Sequence, residues 1–135
     1  MKTIELTPLM RVIIGFDLLV TAWLALPGAA GLFLDLLDAL GRWSGLAPPI
    51  AAFDPLQLFM VNLAGILGVT WNWTRWHTAS YDLAKIDAVA RIAVAALIVY
   101  YVVAMDATPV LLLFMVSELS GSAVEFRLRP RAGSA

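Results

Sequence analysis

Two charged side chains at the start of a long apolar run are the residues best placed to do chemistry. In KIDAVARIAVAALIVYY, Lys85 to Tyr101, Asp87 precedes Arg91 by four positions. On a helix that spacing sets acid and base on one face, in the favourable order for an ion pair. Three more polar residues interrupt apolar runs: Asp17 in RVIIGFDLLVTAW, Asn62 in FMVNLAGILG and Glu118 in FMVSELSGSAVE. Held away from water, such groups can bind a proton, an ion or the polar head of a ligand, or act as general acid and base. Their depths predict an interior cluster of Asp17, Asn62, Asp87, Arg91 and Glu118, with Arg11 at its edge. Setting Asp17, Asp87 and Glu118 against Arg91 and Arg11 leaves one carboxylate over, and Glu118, with no base near it in its own helix, is the first proton-binding candidate. The plainer alternative is a polar clip that joins helices. A Glu118–Asp17 pair working as acid and base is a third, which no motif singles out.

What positions these residues is a membrane-type chain. The 135 residues are 61% hydrophobic and 14% charged, with a mean hydropathy of +0.87. Soluble domains sit nearer about 45–50% apolar and about 25% charged. A net charge of -1 offers no basic field for nucleic acid. Zero cysteines exclude disulfide exchange and thiolate metal sites, and a single histidine, His77, argues against a histidine metal centre. Met10, Met60, Met105 and Met115 are soft ligands in principle, but scattered methionines are usually gap-filling core. No motif specifies a metal or a cofactor.

Four apolar segments are expected to be helices, at about 8–26, 55–76, 80–105 and 109–126. Thr7-Pro8, Asp54-Pro55 and Thr108-Pro109 each pair a capping oxygen with proline at the first helical position, and Ser80 caps the third segment. The first is read as a retained span and not a cleaved leader. Counted from Ser80, Asp87 lies roughly 10 Å and Arg91 roughly 16 Å along its helix. Between the first two spans, GLFLDLLDALGRW spaces Leu32, Leu36, Leu40 and Trp43 by three or four, which predicts a short amphipathic interfacial helix at about 31–43 or a cap over the bundle mouth. The expected fold is all-α: a transmembrane four-helix bundle forming a single integral membrane domain over residues 1–135.

Basic residues near the first helix start (Lys2, Arg11), the second connection (Arg75, Lys85) and the tail (Arg127, Arg129, Arg131) put both termini in the cytoplasm. Compact loops and the absence of cysteine are compatible with a bacterial inner membrane. Trp71, Trp73 and Trp76 then form an interfacial belt. On the last helix, Ser117, Gly121 and Ser122 make a small-residue side, with Glu118, Ser122 and Glu125 on one stripe. That side suits packing within the bundle, or a seam for a homo-oligomer or partner subunit through Ser117, Gly121, Ser122 and Glu125.

The stretches PLMRVIIGFDLL and DAVARIAVAALI, the long connection before the second span and the four-helix plan resemble the small bacterial four-helix membrane proteins that include the DoxX-like group. The resemblance implies an accessory role beside membrane oxidoreductase or quinone-linked systems. It transfers no catalytic residue, and the thiol chemistry of cysteine-containing members is closed to this chain. The function expected from the sequence is therefore an accessory or ligand-binding membrane protein, set among lipid, whose polar cluster engages a lipophilic small molecule or a partner membrane subunit. The alternative is a proton- or ion-coupled oligomeric transporter, or a small carboxylate-based membrane enzyme, using the same cluster.

Overall fold

The computed structural model of the chain describes residues 3–45 and 51–130. Lys2 and Arg131, on which the expected orientation rests in part, lie outside the described residues. Among the described residues the protein is all-α, with five helices: α1 (Pro8–Ala25), α2 (Ala29–Trp43), α3 (Pro55–Thr78), α4 (Tyr81–Ala104) and α5 (Leu111–Phe126). Three starts follow from local chemistry. Thr7 Oγ1 accepts from the Met10 amide at 3.3 Å, ahead of Pro8. Asp54 and Gln57 exchange reciprocal bonds, Gln57 N to Asp54 Oδ1 at 2.8 Å and Asp54 N to Gln57 Oε1 at 2.9 Å, forming a capping box. Ser80 Oγ accepts from Leu83 N at 3.3 Å. Replacing Asp54 with alanine removes both halves of the box at an exposed site and is expected to cost about 1 kcal/mol. The readout is the thermal unfolding midpoint in detergent, and an unchanged midpoint would mean that packing, not the cap, holds this helix start.

The fourth start departs from expectation. Thr108 Oγ1 is buried and makes no hydrogen bond, so it caps nothing. Pro109 and Val110 form a turn, and α5 begins at Leu111. At 16 residues α5 is shorter than the ~20 needed to cross ~30 Å of hydrocarbon. Two helices, α1 and α4, are long and apolar enough to cross a membrane. Along α3, Gln57, Asn62, Asn72, Arg75 and His77 dilute the hydropathy over its 24 residues.

Two compact units divide the chain: Met1–Ile14, Thr74–Ala107 and Leu111–Ala135 in one, Gly15–Trp73 and Thr108–Val110 in the other. In the first, Ile4, Met10, Ile14, Ala84, Ala88 and Ala95 are buried. Its N-terminal segment is pinned by Ile4 N donating to Ala79 O at 2.8 Å, next to an Ala79 held at φ +44°, a left-handed conformation that closes the α3–α4 turn. Alanines on α4 leave room for α5, and Ser122 Oγ donates to Ala88 O at 2.8 Å. In the second unit the small face of α3 meets α1: a Cβ at Gly65 would fall on the Leu24–Ala25 backbone, and one at Gly68 on the Thr21 side chain. Trp23 and Phe33 stack edge to face at 6.2 Å between centroids.

Burial is inverted relative to a soluble protein. The buried residues include Arg75, Asp87, Arg91 and Glu125, whereas Leu9, Val12, Phe16 and Leu19 on α1 and Val89, Ile92, Leu97 and Val103 on α4 are exposed. The apolar row Leu32, Leu36, Leu40 and Trp43 of α2 is exposed too, and Arg42 pairs with Asp38 one turn away.

Candidate functional site

An ionic cluster in the first unit is built from three helices by simple periodicities. On α4, Asp87 and Arg91 are one turn apart, and Arg91 Nε donates to Asp87 Oδ2 at 2.8 Å. On α5, Glu118 and Glu125 are seven residues and two turns apart, and Gly121 lies between them on the same stripe. Gly121 is what lets the guanidinium in: an added Cβ would sit 2.9 Å from Arg91 Nη1 and 3.0 Å from Cζ. Arg91 thus lies along α5, with Nη1 donating to Glu118 Oε2 at 2.9 Å and Nε 3.7 Å from Glu125 Oε1. From the last turn of α3, Arg75 Nη2 reaches Asp87 Oδ2 at 3.0 Å and also donates to Glu125 Oε1.

The result is two guanidiniums holding three carboxylates. The Arg75, Asp87, Arg91 and Glu125 side chains are 3%, 7%, 6% and 0% exposed, and only Glu118, at 23%, reaches the edge. A cavity of about 10 Å³ lined by Ile4, Leu6, Met10, Ile14, Ser80 and Ala84 lies against Arg75, so its surroundings on that side are mostly apolar. Lys85 adds a cation but spends it elsewhere. Its Nζ donates to the Glu125 and Phe126 carbonyls at 2.9 and 2.7 Å, capping the negative end of α5, and lies over the Tyr81 and Phe126 rings.

The expected cluster is brought together in part. Asp87, Arg91 and Glu118 meet, and they do so with Arg75 and Glu125. Arg75, by its place in the chain a connection-flanking charge that would count toward orientation, is buried and ion-paired. Gly121, Ser122 and Glu125, for which packing within the bundle and an intermolecular seam are the two sequence readings, are buried in the same chain against α4, with Ser117 half-buried beside them. The signal for Glu125 was present in its stripe with Glu118. Arg75 had no comparable mark.

Asp17 and Asn62 belong to the second unit. Asp17 is half-buried on α1, and its carbonyl accepts from Thr21 Oγ1 at 2.7 Å. Asn62 Nδ2 donates to Leu24 O at 2.7 Å, which fixes the amide orientation because a carbonyl can only accept. Asn62 also lines a groove of about 340 Å³ with Pro27, Gly28, Ala30, Pro55, Leu58 and Phe59. That is within the ~300–1,000 Å³ of small-molecule sites, and its one polar side chain is this amide. Among the described residues no group of three or more histidines, cysteines or carboxylates gathers as a metal site. No protein-family model matches the chain, and no curated protein or solved structure is significantly similar to it.

Proposed function

We propose that the chain is a small integral membrane protein of ligand-binding or accessory type, which carries a lipophilic small molecule in the groove at Asn62 and keeps its charges in an internal clip. The observation that carries this reading is the inverted burial: arginines and carboxylates inside, leucine, valine, isoleucine and phenylalanine outside. Water would penalise that exterior and lipid would not, while charges in a lipid setting face inward and pair. In this reading α1 and α4 span, α3 and α5 complete a four-helix bundle, and α2 lies at the interface on its exposed Leu32, Leu36, Leu40 and Trp43 row. At roughly 24 Å, α5 is a short span, which local thinning and the flanking Arg127 and Arg129 accommodate.

With Arg75 and Lys85 engaged inside the fold, the orientation rests on Arg11, Arg127 and Arg129, and both termini are cytoplasmic, in a bacterial inner membrane. The DoxX-like resemblance belongs to the same proposal, as support for an accessory role. The groove supports an uncharged lipophile, since no basic side chain lines it to hold an anion.

Native mass spectrometry of the protein extracted from its own membranes in mild detergent tests the reading. An adduct of a few hundred daltons is expected on the wild type, and Asn62→Leu should reduce its occupancy about tenfold, the equivalent of one net hydrogen bond of about 1.4 kcal/mol. A wild type that flies bare and alone would overturn the ligand-binding and accessory roles together.

A further inference from the structure

The charges of the cluster do not balance, and the imbalance can be assigned to one oxygen. Facing Glu125 are Arg75 from α3, Asp87 and Arg91 from α4, and beyond them Glu118 on α5. Three carboxylates thus stand against two guanidiniums. Lys85 makes no ion pair with these carboxylates; its ammonium donates to the Glu125 and Phe126 backbone carbonyls.

The three acids differ in what holds them. Glu118 has Arg91 Nη1 at 2.9 Å and partial exposure. Asp87 Oδ2 receives both guanidiniums, at 2.8 and 3.0 Å. Glu125 receives Arg75 on Oε1 only; Oε2 is fully buried and has no hydrogen-bond partner among the described residues. A carboxylate's charge is shared equally between its oxygens, so an ionised Glu125 would leave half an elementary charge on a buried atom with no donor among the described residues. Buried groups in that condition are expensive, and far more so charged than neutral. A metal cation is a poor remedy beside two guanidiniums. A proton is not, since it bonds covalently to the oxygen and removes the charge there.

We propose that Glu125 is a proton-binding site: Oε2 carries an exchangeable proton, and the cluster of Arg75, Asp87, Arg91, Glu118 and Glu125 is electrically neutral when that proton is bound. Loss of the proton leaves one uncompensated negative charge between α3, α4 and α5, so proton occupancy and the seating of α5 are coupled. This assignment is independent of any ligand in the groove.

The test is infrared spectroscopy of the full chain in a maltoside detergent, which has no carbonyl of its own. Near neutrality the wild type is expected to show the C=O stretch of a protonated carboxylic acid that exchanges slowly into D2O. Glu125→Gln should abolish the band, and because glutamine imitates the neutral acid its unfolding constant should stay within about threefold of wild type. Glu125→Ala, which leaves a cavity and frees Arg75, should unfold far more readily.

Should the glutamine variant fail to fold, 13C-glutamate labelling of the wild type decides. The chain has three glutamates, Glu5, Glu118 and Glu125, and only Glu125 is fully buried, so a slowly exchanging band that shifts on labelling is Glu125. Absence of such a band near neutrality, with the carboxylate stretches alone responding to label, would overturn the proposal.

Discussion

Arg75→Met is expected to destabilise the protein by about 3–5 kcal/mol, the usual cost of removing one partner from a buried ion pair. Methionine matches much of the arginine stem and packs well against Ile4, Met10 and Ile14, so lost volume contributes little. The loss comes instead from what remains: with Glu125 neutral, Asp87 and Glu118 are left to share Arg91, and Asp87 keeps one guanidinium of two. Reversible unfolding in mixed micelles provides the readout. Adding Asp87→Asn to Arg75→Met should recover much of the loss, since it removes the carboxylate that Arg75 neutralised and leaves Arg91 and Glu118 as a matched pair. The double-mutant cycle then reports the coupling directly. A single-variant loss under about 1 kcal/mol would mean that water reaches Arg75.

Gly121→Leu is expected to be comparably severe, and Gly121→Ala mild. The alanine Cβ meets the end of the Arg91 side chain at 2.9–3.1 Å, a clash relieved by a few tenths of an ångström, and alanine regains about 1 kcal/mol of helix propensity over glycine. Leucine cannot be accommodated by so small a shift. It must displace a guanidinium that Asp87 and Glu118 hold at 2.8 and 2.9 Å, so about 1–3 kcal/mol of overpacking is added to the cost of opening those pairs. Measured in the same mixed micelles, the gap between the two variants should be at least about 3 kcal/mol. A leucine variant as stable as the alanine one would show that Arg91 has room elsewhere.

Some of this arrangement is readable from the chain and some is not, for identifiable reasons. Helix starts at Pro8, Pro55 and Tyr81 are legible because capping is local: Thr7, Asp54 and Ser80 act within three residues of themselves. Thr108 shows the limit, since the same Thr-Pro pattern is present and the hydroxyl does not cap. The Asp87–Arg91 pair is legible because one helix fixes it. Depth along a helix, however, carries no information about azimuth or about which neighbour arrives.

Asp17, Asn62 and Glu118 look equivalent by depth, yet Asn62 is satisfied by a backbone carbonyl of α1 and Glu118 by a guanidinium of α4. Arg75 is the instructive miss. Three residues before the end of a helix, a basic side chain usually serves the helix dipole and the solvent. Here the tight turn at Ala79 folds the last turn of α3 back beside α4, a tertiary fact with no signature at Arg75 itself.

The Arg75–Glu125 bond joins residues 50 positions apart, and in a chain made from its N-terminus that distance is a delay. When the α3–α4 hairpin first emerges it holds Arg75, Lys85 and Arg91 against Asp82 and Asp87, and thus carries an unmatched positive charge at the stage when, in the proposed membrane setting, it would have to leave the aqueous phase. Both acids that complete the set, Glu118 and Glu125, are on α5, which is made after the hairpin. In the proposed membrane setting, assembly of this unit is expected to be ordered by supply of charge: the hairpin waits at the headgroups, and the arrival of α5 lets Arg75 go in.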